Sequence, residues 1–195
     1  MLFALLINPE PANGQEAGGI VSALGTVEVL RDGRWQTISA GAVLAAGESV
    51  RTGEDSRVAI LLANGSQLKL NANSRLELKQ IRTPHVRTSN GVLQNVMRLL
   101  NGEIWIRTDG QSLEVQTLPA TASIRGTEFN LTITGKDTAR LAVLEGLVEF
   151  VNPHGSVLIA ASEQATAKVG TESAQNSSDQ SIRCCAVVLV LLRRD

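Results

Sequence analysis

The sequence contains no tyrosine, and aromatic residues make up only 3% of its 195 positions. Its 18 basic and 19 acidic residues give a formal net charge of −1 and are mixed along the chain without forming a basic stripe. Proteins that bind nucleic acid usually combine concentrated positive charge with aromatic side chains on which bases stack. The sequence therefore predicts no nucleic-acid partner.

Cysteine is nearly absent as well, with two adjacent residues, Cys184 and Cys185, near the end of the chain. Two neighbouring cysteines cannot form a disulfide framework for the body of the chain, and they do not indicate a redox compartment. A soft metal site would need further ligands from elsewhere, so a reactive or inert thiol pair is the favoured interpretation. No metal site and no cofactor are predicted.

Catalytic motifs are missing too. The two histidines, His85 and His154, fall in separate predicted loops, and neither belongs to a metal-binding spacing such as H-E-x-x-H. No G-x-S-x-G elbow and no phosphate-binding glycine loop occur. Acidic residues such as Glu54, Asp55 and Glu145 lie at turns, where capping is their usual role. The sequence predicts no catalytic residue; the alternative is a hydrolase with two carboxylates within about 10 Å across a cleft.

No apolar run of the sequence reaches the roughly 20 residues that cross a bilayer as a helix. The run at the amino terminus, Met1 to Ile7, is followed by prolines and small residues and resembles the end of a secretory signal. No basic residue precedes it, which suggests a start assigned too far downstream, and a frayed cytosolic terminus is the alternative. The pattern predicts a periplasmic or secreted protein.

The carboxyl-terminal part joins a polar linker with the composition of a disordered segment, residues 171–181, to the short apolar run CCAVVLVLL and a charged end. Three interpretations stay open: a tail that docks on a partner or membrane face, an extra strand, or an unselected extension. The sequence is thus divided into a signal-like or disordered segment (1–18), one domain (19–169), and a linker with an apolar tail (170–195).

Between these ends the chain consists of short alternating runs separated by turn signals. Asx-Gly pairs at the centre of such runs predict β-hairpins, because both residues tolerate the positive φ that the tight turn requires. Three such pairs occur, at Asp32-Gly33, Asn64-Gly65 and Asp109-Gly110. The pattern predicts an all-β fold: a roll, solenoid-like stack or sandwich of many short antiparallel strands.

At most one short helix is expected, over residues 92–100, where apolar positions recur at helical intervals; a strand is nearly as well supported. The preceding segment, residues 80–91, reads as a long loop suited to binding. Three glycines, Gly25, Gly102 and Gly146, share a local pattern in which a tight corner leads into a strand. Because their spacing is irregular, a roll that turns at glycines is favoured over a strict solenoid.

The stretch SIRGTEF, residues 123–129, interrupts the period-two pattern. A bulge at Gly126 would restore it, because one extra residue shifts the side-chain phase and turns Ile124 and Phe129 toward the same core. Arg125 and Glu128 would then emerge together on the outer face and could form an exposed salt bridge.

These residues and the blocks around them resemble the FecR domain family, named for the ferric-citrate transport regulator. The resemblance spans residues 25–168 and includes GAVLAAGESVRTGEDSRVAILLANGSQLKL, the RGTEF stretch and AVLEGLVEF. The motif positions, which we expect to be structural, are Gly47, Thr52, Gly53, Gly65, Gly102, Arg125, Gly126, Thr127, Glu128, Phe129, Glu145 and Gly146.

The resemblance implies an all-β extracytoplasmic domain that senses another protein of the cell envelope and does not catalyse a reaction. In the best-known arrangement a cytoplasmic sigma-factor-binding segment and a membrane helix precede such a domain, and neither is recognisable before Gly19. We therefore expect a stand-alone sensing or protein-interaction module, with an envelope scaffold or glycan-binding domain as the alternative. The ligand, the oligomeric state and any link to a sigma factor stay open.

Overall fold

The computed structural model describes residues 15–81, 95–153 and 155–169, and within these ranges the chain forms strands and turns. The strands before residue 82 are β1 (Glu16–Leu24), β2 (Val27–Arg31), β3 (Arg34–Thr37), β4 (Val43–Ala45), β5 (Ser49–Thr52), β6 (Arg57–Leu62), β7 (Gln67–Leu70) and β8 (Arg75–Gln80). The later strands are β9 (Asn95–Arg107), β10 (Ser112–Gln116), β11 (Thr121–Arg125), β12 (Glu128–Thr134), β13 (Thr138–Glu145), β14 (Leu147–Asn152), β15 (Gly155–Ala160) and β16 (Gln164–Lys168). In the described ranges no helix long and apolar enough to span a membrane is found.

The strands form two layers that share β9. In the first sheet the order is β4-β1-β6-β7-β9-β12-β13-β16. In the second sheet it is β3-β2-β5-β8-β9-β10-β11-β14-β15. Through β9 the two layers are one open sheet, so the predicted all-β architecture of many short strands is confirmed.

The core lies between the two layers and follows from the alternation of the sequence. Val27 and Val29 of β2 are fully buried in the second sheet, and Phe129 and Leu131 of β12 are fully buried in the first. Inward residues of both sheets belong to one apolar cluster. Because strand side chains alternate between the faces, the polar residues between them lie on the two outer faces.

The chain passes from one sheet to the other at corners, and three corners are the predicted glycines. The φ values are 73° at Gly25, 86° at Gly102 and 87° at Gly146. Gly102 divides β9, whose residues up to Asn101 pair in the second sheet and whose later residues pair in the first. The prediction of tight corners that lead into strands is confirmed.

A buried serine of the neighbouring corner packs against Gly102. The hydroxyl of Ser74 accepts a hydrogen bond from the Glu103 amide at 2.9 Å and lies 3.2 Å from the carbonyl oxygen of Ala72, to which it donates. Asn73, between them, adopts a φ of 52°. The serine thus ties the corner before β8 to the corner within β9.

Ser56 repeats this arrangement one corner away. Its hydroxyl accepts from the Thr26 amide at 2.9 Å, next to Gly25, and donates to the Glu54 carbonyl at 2.9 Å. Asp55 has the same φ of 52° as its counterpart Asn73. An Asx-Ser pair directly before a strand was therefore a second corner signal in the sequence, which the glycine pattern alone did not reveal.

The hairpin predictions are confirmed at two of the three Asx-Gly pairs. Asp32 and Gly33 form a two-residue turn between β2 and β3, with φ values of 50° and 74°. Asn64 and Gly65 join β6 to β7, and the Asn64 side chain accepts a hydrogen bond from the Ser66 amide at 3.0 Å.

The hairpin prediction at Asp109-Gly110 is wrong. The strand that follows, β10, runs parallel to the first half of β9, with Leu113 opposite Asn95. Because β9 has already bent at Gly102 into the other sheet, the turn at Gly110 carries the chain back across the sandwich. The expectation of purely antiparallel pairing is corrected at this one pair; the other pairs of the described strands are antiparallel.

The helical interpretation of residues 92–100 is also wrong for the part that the structure describes. Residues 95–100 belong to β9, where Asn95, Met97 and Leu99 point inward at period two. Residues 92–94 and most of the predicted 80–91 loop lie outside the described residues.

The three-part division of the chain stays a prediction. The described chain starts at residue 15, with β1 beginning at Glu16, and ends at Val169. The signal-like run, both histidines, the paired cysteines and the apolar tail all lie outside the described residues.

Candidate functional site

The RGTEF stretch forms a corner between β11 of the second sheet and β12 of the first. Gly126 has a φ of 63°, and Ile124 and Phe129 on either side are buried, with 4% and 0% exposure. The predicted convergence of these two side chains on one core is confirmed. The predicted bulge at Gly126 is wrong, because the two strands pair in different sheets and the chain turns between them.

The register does shift nearby, but on the neighbouring strand. Glu128 pairs with Glu145 and Phe129 with Val143, so Leu144 of β13 is the extra residue. Its side chain is 50% exposed. A bulge of this kind commonly redirects a side chain at the end of a sheet.

The predicted salt bridge between Arg125 and Glu128 is wrong as well. Arg125 ends β11 in the second sheet and Glu128 begins β12 in the first, so the corner directs them to opposite outer faces. Glu128 instead accepts a hydrogen bond from the indole nitrogen of Trp105 at 3.1 Å.

A polar groove of about 410 Å³ lies on the first-sheet side of this corner. Its wall is a row of side chains in register on four adjacent strands: Gln67, Arg107, Glu128 and Glu145. Asp109 and the backbone of three glycines complete the rim. The groove brings together the sequence-predicted positions Gly65, Gly126, Thr127, Glu128 and Glu145.

The groove carries more negative than positive charge, with three carboxylates and one guanidinium. Glu128 and Glu145 lie directly opposite each other, an arrangement of like charges that costs stability. They stand side by side on one wall, whereas glycoside hydrolysis uses two carboxylates that flank the scissile bond. Within the described ranges, no group of three or more His, Cys, Asp or Glu residues could hold a metal ion.

A second groove, of about 260 Å³, lies on the second-sheet side of the same corner. Leu147 and Leu158 line it and are 50% and 60% exposed. Arg125, Glu114 and Glu149 stand beside them and supply one positive and two negative charges. The corner thus separates a polar groove from an apolar one.

The apolar groove borders β15, which is an edge strand of the second sheet. Natural sheets protect edges with charge, proline, bulges or short length, because free backbone groups there invite another strand. The other edges of the described sheets follow this rule: β3 carries Arg34, β4 has 3 residues, and β16 carries Lys168. β15 has 6 residues without a charge or a proline.

The other predicted motif positions lie away from both grooves. Gly47 is in the turn before β5, with a φ of 90°, and its amide donates a hydrogen bond to the Leu78 carbonyl. Thr52 accepts a hydrogen bond from the Ser74 amide at 3.0 Å, and the amide of Gly53 donates to the Thr26 carbonyl at 2.9 Å.

Gly102 and Gly146 are corner residues, and a Cβ at Gly146 would lie 2.6 Å from the Thr127 methyl. The hydroxyl oxygen of Thr127 is buried without a hydrogen-bond partner among the described residues. Three groove residues, Gln67, Arg107 and Asp109, were not predicted from the sequence. Strand register brings Gln67 and Arg107 there, and the turn after β9 brings Asp109.

Comparison with curated proteins finds no match to this sequence. Two crystal structures of a candidate anti-sigma factor from Parabacteroides distasonis are similar, each with 21% identity and a TM-score of 0.49. The similarity covers 62% of this chain and 54% of that chain. The model of the FecR protein family matches residues 48–149, more than half of the sequence. The matched range includes the RGTEF corner and the strands on either side of it, β11 and β12. The chain belongs to the FecR family.

Proposed function

We propose that this chain is a non-enzymatic sensing module that acts in regulation by contacting another protein of the cell envelope. Membership of the FecR family supports the regulatory part of the proposal. The observation that carries the contact is the unprotected strand β15 beside the exposed leucines Leu147 and Leu158. Together they offer both backbone hydrogen bonds and an apolar surface to an incoming strand.

The proposed contact is the addition of a partner strand to the second sheet. Backbone groups along the edge of β15 that pairs with no described strand would pair with the extended segment and supply affinity. Alternate side chains of that segment would lie over Leu147 and Leu158, and Arg125 and Glu149 would select its polar positions. Recognition of this type needs no catalytic group.

Replacing Leu158 by lysine is expected to abolish the regulatory output while leaving the fold intact. A lysine on an edge strand opposes pairing with another strand, and the side chain is already 60% exposed. Leu61→Lys is the matched control, because Leu61 is 46% exposed but lies on β6, inside the first sheet. The measurement is the set of transcripts that change when the gene is deleted.

We expect Leu158→Lys to reproduce the transcript changes of the deletion strain and Leu61→Lys to resemble wild type. Thermal unfolding of both purified variants is the check on stability, and we expect both to unfold at the wild-type temperature. Transcripts that stay unchanged on deletion, together with retention of the protein on cell-wall material, would contradict signalling and indicate the scaffold.

We propose further that the protein acts in the periplasm or is secreted, on the basis of the apolar run at residues 1–7. A fusion of the chain to a reporter that is active only outside the cytoplasm is expected to be active. Leu5→Arg, which interrupts the run, is expected to remove that activity. Equal reporter activity for both fusions would overturn the assignment of location.

A further inference from the structure

The outer face of the second sheet carries a cluster of charged residues around Trp35, at the end opposite β15. The guanidinium carbon of Arg51 lies 4.0 Å from the centroid of the indole ring, and that of Arg75 lies 5.1 Å from it. The ring reaches these residues across β2, which separates β3 from β5 and β8 in the sheet. One indole therefore holds two cations in place.

The two arginines are direct cross-strand neighbours, with Arg51 on β5 opposite Arg75 on β8. Like charges at this position destabilise a sheet unless something neutralises them. Glu28 neutralises one of them through an ion pair to Arg51 at 2.7 Å. Arg75 makes no ion pair or hydrogen bond to the described residues, and its Nε is buried without a partner.

The pairing of Glu28 with Arg51 shows that an arginine of this cluster binds a carboxylate. The Glu28 carboxylate accepts a hydrogen bond from the Nε–H of Arg51, and this hydrogen bond holds the pKa of Glu28 below its usual value. Arginine forks bind carboxylates through parallel hydrogen bonds, and a planar guanidinium stacked on an aromatic ring is already oriented for this. At Arg51 the carboxylate is that of Glu28, whereas no carboxylate of the described residues pairs with Arg75.

We propose that Trp35, Arg51 and Arg75 form a binding site for a carboxylate side chain from an acidic segment of a protein partner. The carboxylate would pair with the terminal nitrogens of Arg75, because its Nε is buried, whereas Glu28 pairs with the Nε of Arg51. A glycan fits less well, because sugars stack on an open aromatic face and this indole already faces two guanidinium groups. The site is separate from the β15 edge, since these strands lie at opposite ends of the second sheet.

The test uses the full chain with Trp105→Phe, so that Trp35 is the single remaining tryptophan. Its fluorescence is followed while a short glutamate-rich peptide is added, with the matching glutamine-rich peptide and an oligogalacturonate as separate probes. We expect saturable binding of the glutamate peptide alone, and affinity that falls with added salt. Arg75→Gln is expected to weaken binding by about tenfold or more, since it removes a charged hydrogen-bond donor.

Lys69→Gln is the matched control, because Lys69 is also a cation beside an aromatic side chain, on the first sheet: it lies 4.4 Å from the ring of Trp105, the position that carries phenylalanine in this background. It should bind the peptide as the parent does. If Arg75→Gln unfolds, Arg75→Lys takes its place and is expected to bind more weakly, because the planar fork is lost.

Binding that is unchanged in the Arg75 variant, binding of the glutamine peptide, or binding of the oligogalacturonate alone would overturn the proposal. None of these outcomes bears on the β15 contact, because Leu158 and Leu147 lie outside the cluster.

Discussion

Gly102→Ala is expected to lower the free energy of unfolding by about 3 kcal/mol or more, the sum of backbone strain and overlap at a corner. Gly102 has a φ of 86°, which costs an alanine more than a glycine. A Cβ there would lie 2.5 Å from the Cα of Ser74 and 2.6 Å from its Cβ. Ser74 cannot move away from the added Cβ, because two hydrogen bonds hold it. Its hydroxyl accepts from the Glu103 amide, and its own amide donates to the Thr52 hydroxyl.

Gly41→Ala separates the two contributions. Gly41 has the same φ of 86°, and an added Cβ meets no atom within 4 Å. Its loss should be limited to the backbone strain, about 1–2 kcal/mol. The measurement is chemical unfolding followed by tryptophan fluorescence. Equal losses for the two variants would show that the packing of Ser74 against the corner contributes nothing.

The second large effect is expected at the buried ion pair between Arg31 and Glu48. Both residues are only 9% exposed, and Arg31 Nε lies 2.5 Å from Glu48 Oε1. The other Glu48 oxygen accepts the Ala45 amide at 2.9 Å, and Arg31 also donates to the Val43 carbonyl. Glu48→Gln removes the carboxylate charge that pairs with the Nε of this buried guanidinium, so we expect a loss of about 3–5 kcal/mol.

Asp137→Asn is the control for this pair. Asp137 forms an exposed ion pair with Lys168, and the expected loss is about 0–1 kcal/mol. Replacing both buried partners by Arg31→Met and Glu48→Leu should recover much of the stability lost in Glu48→Gln, because no charge is then left unpaired. A small loss in Glu48→Gln would mean that water reaches Arg31, and the pair would then not hold β2 against the β4–β5 turn.

Local patterns in the sequence predicted the strands and the corners, because both depend on neighbouring residues. Alternation placed Val27 and Val29 inside, and the glycine pattern located Gly102 and Gly146. The parallel path of β10 could not be predicted in this way. The Asp109-Gly110 pair is typical of a hairpin, and only the earlier bend of β9 makes it a crossover.

The candidate site was predicted in part for a similar reason. The RGTEF stretch and Glu145 were singled out from the sequence, and the structure places most of them around one corner. Arg107 joins them through its register opposite Glu128, which no local pattern encodes. The Trp35 cluster is harder still to predict, since Arg75 lies on a strand three positions away in the sheet.

Crosslinking in the cell tests the central claim most directly. A photoreactive amino acid is placed at position 158 on β15, or at position 61 on β6 as the control, and the cells are irradiated. The account predicts one discrete crosslinked protein from position 158 that position 61 does not give, and its loss when Ala160→Lys adds a charge to the same edge. No crosslinked protein from position 158, or the same species from both positions, would contradict it.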